Sequence, residues 1–102
     1  MQKPRVELQS KLEEILGSRN VYFQPPESFK LSYPCIIYEL ADIRTTKADN
    51  IKYRKDKKYT VTAINKNPDW ELPMEILDME YCSFDRIFKA DNLYHWVFSL
   101  YW

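Results

Sequence analysis

The tetrapeptide Lys-Ala-Asp-Asn occurs twice in this chain, at residues 47–50 and 89–92, and an aliphatic residue follows each copy, Ile51 and Leu93. Asp and Asn tolerate left-handed backbone and hydrogen-bond their own main chain, so each copy suits the turn of a β-hairpin. The flanking segments fit that role. Cys35-Ile36-Ile37-Tyr38-Glu39-Leu40 is the strongest strand signal and runs on toward Arg44, while Tyr59 to Ile64, with Thr60 and Thr62 alternating, reads as its neighbour. Tyr81 to Trp102 reads as two aromatic-rich strands meeting at the second tetrapeptide. Strands joined by short turns predict an antiparallel sheet. No longer period accompanies the echo, so two hairpins share one turn solution and no repeat architecture is implied.

Around these hairpins the pattern changes to helical. Leu8, Leu12, Ile15 and Leu16 recur at helical spacing and form one apolar stripe, with Lys11, Glu13 and Glu14 on the other faces. Pro4 fits the first helical position, and Gly17, the only glycine, sits where a C-terminal cap belongs. Val21 to Phe23 reads as a short strand ended by Pro25-Pro26. Gln24 to Pro34 then reads as an extended loop, with Phe29 and Leu31 expected to pin it to the core. Asn65 to Asp69 is turn chemistry, after which Trp70, Met74 and Leu77 at i, i+4 and i+7 predict a short helix with Pro73 in its first turn. The expected fold is α+β: an antiparallel β-sheet of four to five strands, covered on one face by the N-terminal helix, plus one short helix.

A length of 102 residues predicts one domain, residues 1–102, able to bury roughly two-thirds of its unfolded surface. Lys+Arg and Asp+Glu balance at 15 each, which argues against a dedicated nucleic-acid binder and leaves little self-repulsion to oppose association. The two cysteines, Cys35 and Cys82, are too few for a disulfide scaffold and are expected to be reduced and buried. The first residues are polar and no apolar run approaches a membrane span, so the expectation is a cytosol-made chain with no membrane partner.

The residue types that carry catalysis are present without the spacing it needs. The single histidine, His95, lies within the last aromatic strand, and no C-x-x-C or H-x-x-x-H pair accompanies it, so no metal is expected. Cys35 lies among apolar residues and Cys82 between aromatics, which disfavours a reactive thiolate. One glycine cannot supply a phosphate-binding cradle. The reading is a non-enzyme with no cofactor and no small-molecule substrate.

Two charge clusters remain. Lys52, Arg54, Lys55, Lys57 and Lys58, broken by Asp56, interleave with Tyr53 and Tyr59. Basic residues with aromatics suit a single-stranded nucleic acid, and lysines equally suit a solvated edge that discourages strand pairing. The run from Asp69 to Glu80 holds Glu71, Glu75 and Asp78 with no basic residue, which reads alone as a solvated helix face. Together the two clusters permit head-to-tail association, and a heterologous contact repeated about a closed axis makes a ring. Lys52, Arg54, Lys55, Lys57, Lys58, Glu71, Glu75 and Asp78 are therefore the candidate subunit-interface residues.

Several segments carry a family resemblance. Asn20-Val21-Tyr22-Phe23-Gln24-Pro25-Pro26 with Tyr33-Pro34-Cys35-Ile36-Ile37-Tyr38-Glu39-Leu40 resembles a pattern in the tail-completion (tail-terminator) proteins of the neck of long-tailed bacteriophages. So do the Asp49-Asn50 turn followed by Tyr59-Thr60-Val61-Thr62, and the run Cys82-Ser83-Phe84-Asp85-Arg86 with Ala90-Asp91-Asn92-Leu93. The resemblance covers most of the chain, and its motifs are structural. It implies a virion protein, made in the host cytoplasm, forming a homo-oligomeric ring that is commonly a hexamer. Such a ring stops tail-tube growth at the head-proximal end and joins tail to head. The implied partners are further copies of the chain, the tail-tube protein, the head-completion (stopper) protein and the genomic DNA passing through the lumen. The alternatives are a stopper role in the same neck and a small single-stranded nucleic-acid-binding protein.

Overall fold

The computed structural model describes residues 4–48 and 51–102, with side chains described outside 44–55. The elements run α1 (Arg5–Leu16), β1 (Val21–Phe23), β2 (Cys35–Ala48), β3 (Ile51–Asn65), α2 (Leu72–Leu77), β4 (Cys82–Ala90) and β5 (Leu93–Tyr101). The fold is α+β. Its five strands form one mixed, mostly antiparallel sheet in the order β1-β2-β3-β5-β4, and helices α1 and α2 pack against each other and against the sheet.

Helix α1 forms where the stripe predicts it. Leu8 and Leu12 are fully buried, and Ile15 and Leu16 pack against the same cluster from half-buried positions. Pro4 stands one residue earlier than expected. Its φ of −62° suits either side of the helix boundary, but its ψ of 144° is extended, so it is the N-cap, and its carbonyl accepts the Glu7 N–H at 3.1 Å. Gly17 ends the helix in the left-handed region at φ 77°, donating its N–H to Glu13 at 2.8 Å.

The second Lys-Ala-Asp-Asn sequence turns the β4–β5 hairpin. Asp91 and Asn92 have φ of 53° and 62°, the paired positive values of a type I′ turn. The Asp49-Asn50 turn lies outside the described residues, but Ala48 is paired with Ile51 across it. One pairing departs from the antiparallel expectation: β1 runs parallel to β2, with Val21 opposite Ile36. The proline-rich loop 24–34 carries the chain back to the end where β1 began, as a parallel neighbour requires.

Side chains alternate across the sheet. One face presents Ile36, Tyr38, Tyr59, Val61, Ala63, Trp96, Phe98 and Leu100 to the helices, and these form the main core with Leu8, Leu12, Leu72 and Ile76. The opposite face carries a smaller cluster of Cys35, Ile64 and Leu93, roofed by Tyr22, Leu31 and Ile37. Leu31 therefore pins the loop as expected. Phe29 stays largely exposed and reaches only the edge of Tyr22, at a ring separation of 5.1 Å.

Helix α2 differs from its sequence reading. It spans Leu72–Leu77, with Pro73 in its first turn, and buries Leu72, Pro73 and Ile76. Trp70 precedes the helix, and of the spaced trio Trp70 and Leu77 pack against the core while Met74 is 60% exposed. A six-residue helix offers too few positions for spacing to define its buried face.

Candidate functional site

The polar groups at the α1–sheet junction form a closed structural network. Arg5 Nη1 donates to the Tyr38 hydroxyl at 2.9 Å, and that hydroxyl donates to Gln9 Oε1. Gln9 Nε2 donates to Glu13 and to the Val21 carbonyl, each at 2.9 Å. The Arg5 guanidinium also lies 4.2 Å from the centre of the Phe23 ring. Burial holds the Tyr38 phenol above its ordinary pKa, with Arg5 opposing the shift. These bonds anchor α1 to β1 and β2.

The thiols are governed by burial. It pushes Cys35 up to about 12 and Cys82 up to about 11, so both are neutral at physiological pH. Cys35 is buried and free. Cys82 is free as well but only half-buried, at the start of β4, less enclosed than the sequence suggested. A thiol reagent at pH 8 is expected to label neither cysteine in the folded chain and both after denaturation. Rapid labelling of folded Cys35 would contradict this account. In the unfolded chain each thiol titrates near its ordinary value of 9.0, so above that pH the unfolded state sheds protons that the folded state keeps. Stability is then expected to be level below about pH 9 and to fall as pH rises toward the folded values.

His95 stacks on Phe88, with ring centroids 4.6 Å apart and planes 7° from parallel. Its Nδ1 lies 3.1 Å from the Leu93 carbonyl, which can only accept a hydrogen bond.

The candidate interface residues fall on two separate parts of the fold. The basic cluster lies on β3, where Lys52, Arg54 and Lys55 are in the part paired only with β2. Strand β5 joins β3 at Lys58 and runs beside it to Asn65. Residues 51–57 of β3 and their partners 43–48 of β2 therefore project as a two-stranded ribbon, roughly 20 Å long at about 3.4 Å per residue. The ribbon helps account for overall extents of 50 × 25 × 23 Å. At its base Lys57 and Lys58 are half-buried, and the Lys57 carbonyl accepts the Trp102 N–H at 3.0 Å. Asp56, which breaks the basic run, is buried, with Arg44 as its cross-strand neighbour.

The acidic residues are all exposed on α2, with Glu71 at its N-cap, Glu75 within it and Asp78 at its C-cap. Helix α2 packs against α1 and β4, and two strands, β3 and β5, separate β4 from β2. One chain thus keeps its basic ribbon and its acidic helix apart.

Sequence reading missed an apolar groove beside that acidic row. Trp70, Pro73, Met74 and Leu77 form one wall, and Phe84 and Ile87 on β4 form the other over Trp96 and Phe98. Phe84 is 47% exposed and Ile87 50%, on an edge strand whose side chains, Cys82 apart, are all exposed. Apolar residues alone give no signal that separates such a surface from core.

No protein-family model matches this chain, and no curated protein matches it in sequence. Among the described residues, no helix is long and apolar enough to cross a membrane.

Proposed function

We propose that this chain is a structural subunit of a long-tailed phage, of the tail-completion kind, which closes into a ring at the head-proximal end of the tail. In that role it stops growth of the tail tube and offers the neck a surface on which head and tail join. The observation that carries the reading is the projecting β2–β3 ribbon. A two-stranded ribbon is marginal in water by itself, and a basic one held away from its own acidic helix suits a contact with a neighbouring subunit. The sequence resemblance supplies the choice of tail completion among assembly roles.

Sedimentation of the chain, alone and with its cognate tail-tube protein, tests the assembly. A closed species of fixed subunit number is expected, six by the resemblance, in at least one of the two conditions. A monomer in both contradicts the proposal.

The nucleic-acid alternative makes a different forecast. If the ribbon serves assembly, single-stranded DNA should bind weakly and be released by physiological salt, as a few phosphate contacts dictate. Sub-micromolar binding that survives physiological salt, read by fluorescence anisotropy across a salt series, would favour the nucleic-acid reading.

A further inference from the structure

We infer that the groove between α2 and β4 is the docking site for the β2–β3 ribbon of a second copy of this chain, with Ile43 entering the groove and Lys57 meeting the acidic row of α2. The inference deepens the assembly reading above by naming its subunit contact.

The two surfaces match in kind and in order. On α2, Met74 and Leu77 border the groove while Glu71, Glu75 and Asp78 line the adjacent side of the helix at i, i+4 and i+7. Apolar surface and negative charge thus lie side by side. On the ribbon, Ile43 is 53% exposed, and the register sets it directly opposite Lys57, with Thr45 opposite Lys55 one step further out. An apolar side chain and positive positions again lie side by side. Charge complementarity of this sort sets partner and register, while the apolar pair supplies buried area.

The contact has to be between copies. The groove sits over Phe98 and Trp96, which pair with Val61 and Ala63 of β3. From there the ribbon lies along β3 in the direction of Lys57 and continues away from the groove. Ile43 is about four residues from the level of Val61, roughly 13 Å along the strand, and two further strand spacings of about 4.8 Å lie across the sheet. A paired ribbon cannot fold back over that distance without losing its ladder. The donor and acceptor surfaces are different patches, so the contact is heterologous. It propagates from copy to copy and closes if the rotation permits.

The exposed apolar edge of β4 offers a rival use of the same surface, a two-fold pairing of β4 with its own copy. The register irregularity between Phe84 and Arg86 disfavours that pairing, because bulges distort an edge against strand addition.

The test uses two chains, one carrying Ile43→Cys and the other Met74→Cys, of distinguishable mass, mixed and treated with a short bismaleimide. Both chains also carry Cys82→Ser, since Cys82 is only half-buried, while burial keeps Cys35 out of the reaction; Ile43 and Met74 are exposed, so folding can be verified by unchanged denaturation midpoints. The expected result is a covalent product joining the two different chains in the mixture, with little product from either alone. Adding Lys55→Glu and Lys57→Glu to the first chain should lower the yield about tenfold, as reversing a pair of charges at a partly exposed contact does. Adding Glu75→Lys and Asp78→Lys to the second chain should recover most of it. Absence of the mixed product, equal joining of Met74→Cys chains to one another, or no recovery in the compensating pair would overturn the inference. Cross-linking without any effect on tail tubes would remove the tail role and leave the contact standing. Capped tubes without cross-linking would do the reverse.

Discussion

Phe98→Ala is expected to lower the free energy of unfolding by about 3–5 kcal/mol, the range for emptying a buried aromatic site. Phe98 is 1% exposed on the central run of β5, with Val61 and Phe84 as its cross-strand neighbours. Removing the ring opens a void between the sheet and the helices that the paired backbones of β3 and β4 cannot collapse to fill. Its partner ring makes the control. Phe84 stands edge-on to Phe98 at 5.5 Å, yet nearly half of it faces solvent. Phe84→Ala should therefore cost at most about 1.5 kcal/mol, the scale of one aromatic pair, while weakening self-association through the groove it lines. Urea unfolding of both variants reads the difference. Equal losses would mean that β4 is buried in the isolated chain and that the groove is not a surface.

Leu12→Ala is expected to cost about 2–5 kcal/mol. Leu12 has no exposed surface and belongs to the cluster that includes Leu8, Ile36, Tyr38 and Ile76, so the truncation leaves a cavity beneath α1. The network from Arg5 through Tyr38 to Gln9 holds the helix in place over that cavity and limits its collapse. A change below about 0.5 kcal/mol, typical of a surface position, would mean that α1 packs by a different face.

How much of this was visible in the sequence depended on the length of each element. Over twelve residues, α1 repeats its apolar spacing enough to fix a face, and Gly17 marks its end. The β4–β5 turn was legible because Asp91 and Asn92 are residues that adopt positive φ at low cost. The parallel setting of β1 was not legible, since alternation marks a strand without giving its direction. Only the route of loop 24–34 decides it. The length of β3 was hidden for another reason. From Lys52 to Lys58 the sequence is almost wholly charged, so it lacks the apolar alternation by which a half-buried strand is read.

The candidate site was half legible. Charge runs are visible in any sequence, and Lys52 to Lys58 and Glu71 to Asp78 were found that way. Their placement on different elements, the basic run on the central strand β3 and the acidic one on α2 beside the edge strand β4, follows from the topology, which no local pattern encodes. Met74 falls at helical spacing from Trp70 and was read only as marking a short helix. It lies on the rim of the groove, where the same apolar chemistry serves a surface. Ile43 and Ile87 gave no signal for a similar reason. Each sits in a run that reads as strand, and exposure is a property of what the fold leaves uncovered.

The central claim is that the chain ends a growing tail by assembling on it. The direct test is the length of tubes polymerised from the cognate tail-tube protein with and without this chain, measured by electron microscopy. The account predicts that adding the chain halts further growth, with extra density at one tube end only, and that the Lys55→Glu, Lys57→Glu variant largely loses the effect. Tubes that lengthen equally in its presence, with both ends bare, would contradict it.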